Sequence, residues 1–413
     1  MQVNPSRQDL ILTALLIAAF TAVSVLYHRG VPSSDLMALY LAGQEYAAGN
    51  MAGLYPVAPV FDLSVPVDWR QLAAAHGLGD MVLYPFIYPP LWAAVMAPLS
   101  TMISPQTLFF AATVVNPILL GAGAVLTWRI LRPAFTLPRW VGLCLLLALL
   151  SPIGLIALYQ NQPQILVSCL ILLAIERARA DAPVAAGAVL ALAAAIKLYP
   201  LFFVVIWLAS GNRRAVLAFS AYGAALGGLS LLLAPIATHQ QFLAQLAAVA
   251  DTVVLTNLVY TFETALGQFA LKGQFTLSAI GAGFVAAKPL WLGLLGKAAL
   301  VAALALIWRA ARRASSARLY TAIWPAALIL VSLFGPLAWA YHYLTVTMFL
   351  PALLFRPTDR LLALALFLPL SLPVLTALSA LPLPFFAGQL AATLALTGLA
   401  ALFWARGQPD AAP

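Results

Sequence analysis

The chain has 413 residues, of which 64% are hydrophobic and 8% charged, about a third of the usual quarter. A soluble domain needs a charged surface that such a chain cannot supply, so it reads as an integral membrane protein with many helical spans. Disorder, a disulfide-rich secreted scaffold and a nucleic-acid-binding domain are excluded as main readings. The net charge of +9 comes from arginines gathered between apolar runs, which reports orientation rather than a nucleic-acid partner.

The first apolar run, about 10–27, follows Arg7 and has no small-residue cleavage site after it. It reads as an uncleaved first span with a cytoplasmic N-terminus. The polar region of about 28–85 comes next, with Asp35, Glu45, Asp62, Asp68 and Asp80 but only Arg29 and Arg70. By parity it faces outside. The run 88–103 is apolar but broken by prolines. Counting it as a span would put Arg129, Arg132 and Arg139 outside, against the charge rule. It is therefore expected to lie along the outer face or dip into it, so the first outer loop with its juxtamembrane helices covers 28–105.

Further spans are expected at about 107–130, 140–158, 164–177, 183–197, 198–210, 215–234, 290–309, 320–338, 342–355, 360–376 and 385–405. Runs 183–197 and 198–210 are short, and one kinked span is an alternative there. This predicts a single all-α polytopic membrane domain over 1–413, with about twelve spans and both termini inside. Inside segments then hold 15 basic and 5 acidic residues, including Arg356, and outside segments 6 and 7. A second outer loop falls at 235–288, Pro382 and Pro384 mark a turn, and the tail after Arg406 is expected to be disordered. Cys144 and Cys169 lie in apolar runs and read as core or lipid-facing residues.

Polar side chains concentrate at the expected outer ends of spans. Ser33, Ser34 and Asp35 signal a helix start, with Ser33 a plausible N-cap. Asp35 then reads either as a first-turn acid favoured by the helix dipole or as a general base at the membrane surface. The helix should run from Asp35 to Ala48 and stop at Gly49, with Glu45 on a solvated face. Asp62, Asp68 and Asp80 read as solvated loop acids, and His28 and His76 as surface residues. Tyr88-Pro89-Pro90-Leu91-Trp92 is either an interfacial aromatic anchor or a wall of a lipid-substrate groove. In Tyr159-Gln160-Asn161-Gln162-Pro163-Gln164 the amides either cap a turn or bind sugar hydroxyls.

Lys197, the one basic residue in a long apolar stretch, either snorkels or contacts a phosphate. An ionisable residue at such a depth is a functional candidate by default. His342, in Trp339-Ala340-Tyr341-His342-Tyr343, is either a hydrogen-bonded interface residue or a contact to phosphate or acceptor. Glu263 sits in the second outer loop with Asp251 and His239, and that loop could close over a substrate. The four histidines are scattered and no His/Cys cluster has ligand spacing, so no metal site is expected. No phosphate-loop or dinucleotide fingerprint is present, and no cofactor is called for.

In order, these motifs are an outer Asp after the first span, Gly49 to Tyr55-Pro56, Tyr88-Pro89-Pro90-Leu91, the Gln/Asn corner, Lys197-Leu198-Tyr199-Pro200 and Trp339 to His342-Tyr343. The series resembles glycosyltransferase family 87 of the GT-C superfamily, whose members are polyprenyl-phosphate-mannose-dependent mannosyltransferases. The resemblance covers about 33–350. Two departures stand out. Leu36 replaces an aromatic after the Asp, and the corner differs from the family's usual Gly-Gln-x-Asn.

The resemblance implies a GT-C fold and a hexosyltransferase of the plasma (inner) membrane with its active site on the outer, periplasmic face. The donor would be a polyprenyl-phosphate sugar, by family default mannose, and the acceptor a glycolipid, glycan or protein. Asp35 matches the catalytic base, with inversion at the sugar. Lys197 and His342 are the candidate cations for the leaving phosphate. Gln160, Asn161, Gln162, Tyr88 and Glu263 complete the substrate-binding candidates.

The alternative from another class is a transporter or flippase of lipid-linked saccharides. Such a protein should show paired halves and buried coupling charges at mid-membrane, and the sequence shows neither clearly. A non-catalytic scaffold would have no need of the acidic outer loop, and a polymer ligase would usually carry its large outer loop late.

Overall fold

A computed structural model describes residues 5–56, 61, 65–277, 283–355, 357–383 and 385–406. Asp62, Arg356, Pro384 and the tail after Arg406 lie outside the described residues. Helices dominate. In chain order they begin with α1 (Arg7–His28), α2 (Ser34–Ala47), α3 (Trp69–Ala75), α4 (Pro90–Met102) and α5 (Pro105–Leu131). Next are α6 (Leu137–Leu149), α7 (Pro152–Tyr159), α8 (Gln164–Arg179), α9 (Pro183–Ile196) and α10 (Val204–Ser210). The series continues with α11 (Arg213–Leu233), α12 (Ile236–Ala250), α13 (Phe262–Ala270) and α14 (Leu290–Arg313). It closes with α15 (Ser316–Leu333), α16 (Leu344–Phe349), α17 (Pro351–Leu354), α18 (Pro357–Phe367), α19 (Leu372–Ser379) and α20 (Ala387–Ala405).

Every expected span is helical, but they are not equal. Among the described residues, six helices are long and apolar enough to cross a membrane singly: α1, α5, α11, α14, α15 and α20. Two bent pairs raise the number to eight. In one of them α6 and α7 meet at 78° across the Leu150–Ser151 break. In the other, α18 with its 3-10 turn meets α19 at 54°. Hydropathy cannot see such bends, because Ser151-Pro152 and Ser371-Leu372-Pro373 interrupt an apolar run without changing its mean. The short run 198–210 also breaks, into a 3-10 turn at Tyr199–Phe203 followed by α10.

Helix starts follow local chemistry. At α1 the Ser6 hydroxyl accepts from the Asp9 N–H, and the Asp9 carboxylate accepts from Ser6 in return, a reciprocal capping box. Ser33 caps α2 and Ser104 caps α5 more simply, each hydroxyl accepting one N–H, from Leu36 and Thr107. Proline occupies the first turn of α4, α5, α6, α7 and α9, where its missing N–H costs nothing. Gly49 follows α2 at φ +76°, the left-handed stop that glycine takes without strain.

Two packing relations position the site. First, α2 lies on α4 and buries Met37, Tyr40 and Leu41. The Tyr40 hydroxyl donates to the Ile103 carbonyl at 3.0 Å, fixing α2 to the far end of α4. Outside the bilayer each such buried side chain contributes about 1.5–3 kcal/mol. Second, α8, α9 and α11 pack side by side. Gly187 lets α9 and α11 touch, since a Cβ there would meet the Ala215 carbonyl oxygen at 2.4 Å. Small residues serve this purpose between membrane helices.

The stretch expected to be a second outer loop, 235–288, differs among its described residues from the all-helical expectation. It forms α12, α13 and a small antiparallel sheet of β1 (Thr252–Leu255), β2 (Thr276–Leu277) and β3 (Phe284–Ala287), in the order β1-β3-β2. The strands are too short to leave a period-two signal in so apolar a chain. Three side chains also differ from expectation. Glu45 is buried, not solvated, and accepts from Asn50 Nδ2 at 2.7 Å. His28 is buried with its ring edge-on to Tyr159. His76 is half-buried, 3.0 Å from Gln44. Asp68 and Asp80 are exposed as expected, and both cysteines are free thiols.

Replacing Gly187 with Ala should push α9 off α11. The expected loss is about 1–3 kcal/mol, read as a lower Tm of the detergent-purified protein. An unchanged Tm would show that the contact is not tight.

Candidate active site

The motifs that are scattered along the sequence meet at one end of the bundle. Residue 33 begins the convergence. Its hydroxyl donates to the Gln160 carbonyl while accepting from the Leu36 N–H. One side chain thus caps α2 and ties the start of that helix to the α7–α8 corner. Asp35 follows in the first turn of α2. The Gln162 side chain hydrogen-bonds to its carboxylate, and Lys197 interacts with it through space. Asp35 and Lys197 are not in direct ion-pair contact; the ion pairs of the described residues are elsewhere.

Lys197 stands in the break between α9 and the Tyr199–Phe203 turn. Its backbone is extended, φ −134° and ψ 132°, as expected where the residues before Pro200 leave the helix. Its Nζ lies 4.9 Å from the centre of the Tyr341 ring, a cation–π contact that holds the charge without neutralising it. Tyr341 in turn stacks on His342 at 5.1 Å, and His342 lies 5.5 Å from Tyr199. The His342 Nδ1 is 3.2 Å from the Trp339 carbonyl, which fixes Nδ1 as the donor and leaves Nε2 as the free ring nitrogen. The Tyr199 hydroxyl accepts from Gln164 Nε2 at 2.7 Å.

The motifs around Tyr55 and Tyr88–Trp92 close the other side. The Tyr55 hydroxyl donates to the Tyr88 carbonyl at 2.6 Å, and Trp92 Nε1 to the Ala195 carbonyl at 2.6 Å. These bonds carry α4 and the segment before it onto the end of α9, two residues from Lys197. Tyr88, Tyr84 and Tyr341 all lie near enough to Asp35 to feel its charge. Asp35, Lys197 and His342 are enclosed by protein, yet each keeps part of its surface open.

The electrostatics of Asp35 follow from this enclosure. Burial raises its carboxyl above the usual carboxylate range, while the Lys197 cation and the Gln162 hydrogen bond pull it back down. A carboxylate so poised is a better proton acceptor than an exposed one.

The remaining candidates divide. Asn161 sits at φ +46°, a conformation that asparagine tolerates better than most residues. Its side chain accepts from Asn116 and donates to Thr113, both on α5, so it pins the corner in place. Gln160 reaches Ser33 through its backbone carbonyl. Gln162 faces Asp35, and Tyr88 lies in the phenol wall. Glu263 is elsewhere. It is buried on α13, paired with Lys288, and packed against Gly296 of α14. Among the described residues no three His, Cys, Asp or Glu side chains cluster.

Tyr84 and Tyr341 join the site without having been singled out. Tyr341 was visible inside an aromatic run beside His342. Tyr84 had no signal beyond being an aromatic in a loop. The family model described as glycosyltransferase family 87 matches residues 86–332, more than half of the chain. That stretch includes Tyr88, the Gln/Asn corner and Lys197; Asp35 and His342 flank it. No curated protein matches the chain.

Ser33→Ala removes both the cap and the tie to Gln160. Loss of a cap costs about 1 kcal/mol, so Tm should fall modestly while transfer activity falls further, because Asp35 loses its anchor. Activity unchanged beside a lowered Tm would mean that Ser33 only caps α2.

Proposed function

Because the chain belongs to glycosyltransferase family 87, and is a glycosyltransferase with several apolar helices, we propose that it moves a hexosyl group from a polyprenyl-phosphate donor to an acceptor hydroxyl at the outer face of the membrane. We further propose mannose as the sugar, a GT-C architecture of about twelve spans with both termini inside, and the plasma (inner) membrane of the cell envelope as its location. Family membership supports the transferase reading, and no observation favours the transporter alternative. The observation that carries the reading is that the Asp35 carboxylate and the Lys197 ammonium each act on the other through charge without forming an ion pair.

An inverting transfer needs two opposite groups on either side of the anomeric carbon. The acceptor oxygen attacks as Asp35 takes its proton. The bond from the anomeric carbon to the phosphate oxygen breaks, and its electron pair stays on the polyprenyl phosphate. Lys197 meets the negative charge that develops there, the term expected to contribute most. A direct Asp35–Lys197 ion pair would occupy both groups, and the cation–π contact with Tyr341 holds Lys197 without doing so.

His342 takes a different part from the cation that the sequence offered. The Trp339 carbonyl engages its Nδ1. A neutral imidazole with Nε2 free accepts a hydrogen bond from a sugar or acceptor hydroxyl. Gln162 and the phenols of Tyr84, Tyr88 and Tyr341 supply the remaining polar contacts and an aromatic wall for the sugar.

The short helices fit a lipid-linked donor. At 1.5 Å per residue, α8 and α9 are about 24 Å and 21 Å long, less than the hydrocarbon thickness of about 30 Å. Helices this short are compatible with Gln164 and Lys197 lying below the outer surface of the bilayer, where a polyprenyl phosphate headgroup could reach them. The donor arrives activated, consistent with a chain that lacks nucleotide-binding motifs.

Two experiments test the assignment together. In membranes, labelled sugar should transfer from polyprenyl-phosphate-mannose, and not from a nucleotide sugar when lipid carrier is absent. Direct use of the nucleotide sugar would contradict the donor class. The acid limb of kcat/KM should lie above the usual carboxylate pKa of about 4, because burial raises Asp35. Lys197→Met removes the cation that favours the ionised carboxylate. The limb should then move to higher pH, and kcat/KM should fall roughly 100-fold. A limb that stays in place would separate Lys197 from Asp35.

A further inference from the structure

We propose that a pocket at the opposite end of the bundle binds the phosphate of an anionic phospholipid headgroup. Its volume is about 430 Å³, and four helix ends form it: the start of α1, the end of α5, the start of α6 and the end of α8. Arg129, Arg132 and Arg179 line it against a single carboxylate, Glu176. That carboxylate is already engaged by Arg129 at 2.7 Å and by Arg177 at 2.5 Å. Two guanidiniums, Arg132 and Arg179, thus face the pocket with no carboxylate partner among the described residues.

Arg179 is the decisive group. Its guanidinium lies over the Tyr320 ring at 5.0 Å, and its Nη1 is buried with no hydrogen-bond partner among the described residues. A buried donor calls for an acceptor, and a planar guanidinium matches phosphate oxygens in geometry and charge. Arg132 is held at its place by backbone conformation. It ends α5 at φ +49°, with its N–H donating to the Trp128 carbonyl.

Free phosphate and a lipid headgroup share this chemistry, and the surroundings favour the lipid. Leu10 of α1 also lines the pocket and is 52% exposed, and Ile11 and Leu15 continue an exposed apolar surface along that helix. An acyl chain can run there while the phosphate sits among the arginines. Basic pockets between membrane helices on the arginine-rich side have this character. The inference does not depend on the transfer reaction. The pocket is separated from the Asp35 site by the whole length of α8, which begins at Gln164 and ends at Arg179.

The test is a thermal-shift titration of the full-length, detergent-purified protein. The probes are dioctanoyl phosphatidylglycerol, dioctanoyl phosphatidylcholine and inorganic phosphate at matched concentrations. Phosphatidylglycerol should raise Tm saturably, as a ligand of the folded state must, and the other two should raise it much less. The Arg132→Asn variant keeps a residue that tolerates positive φ, so it should fold and lose most of the shift, and Arg179→Gln should lose it as well. Arg312→Gln/Arg313→Gln, exposed at the end of α14, should keep it. No shift with phosphatidylglycerol, an equal shift with phosphatidylcholine, or a full shift in Arg132→Asn would overturn the proposal. An equal shift with inorganic phosphate would assign the pocket to a free anion and overturn the lipid.

Discussion

A carboxylate and an ammonium enclosed at one end of an apolar bundle are the constraint around which the rest is arranged. Either group alone would be costly to enclose. Together they lower each other's cost without merging into an ion pair. Keeping them apart needs rigid supports from different parts of the chain. Ser33 fixes the start of α2 to the α7–α8 corner, Asn161 fixes that corner to α5, and Tyr341 holds the lysine. Each support is a hydrogen bond or ring contact made by a short, well-placed side chain, and none depends on a flexible loop.

The helix breaks follow from the same need. The break at Lys197-Leu198 ends α9 and begins the Tyr199–Phe203 turn, which brings Tyr199 to His342 beside the lysine. Breaks of this kind are tolerated at membrane depth only where protein or a cavity covers the backbone. The Trp92–Ala195 hydrogen bond ties α4, and with it α2, to the end of α9 beside that break. The opposite end has the reverse character. Its arginines are paired with Glu176, stacked on Tyr320 or exposed, and they form a separate basic pocket.

Much of this was legible in the sequence, for identifiable reasons. Ser33-Ser34-Asp35 and Gly49 mark the ends of α2 because caps and left-handed stops are local chemistry. Proline after proline at helix starts is likewise local. The bend between α6 and α7, the small sheet and the burial of Glu45 were not legible, because they depend on partners distant in sequence. The reading of Asn161 as a sugar ligand was open for the same reason. An amide in a polar corner looks alike whether it meets a hydroxyl or Thr113 and Asn116. Glu263 gave no hint of Lys288, 25 residues later. The convergence of Asp35, Lys197 and His342 was visible only as an order of motifs, and their facing required the fold.

The most direct test is transfer of radiolabelled mannose from polyprenyl-phosphate-mannose into extractable lipid by membranes containing the wild type or Asp35→Asn. The account predicts label with the wild type and none with a normally inserted Asp35→Asn protein, whose amide cannot accept the proton. Equal label from both would contradict it and leave Asp35 as a helix-start residue, with the base to be sought elsewhere.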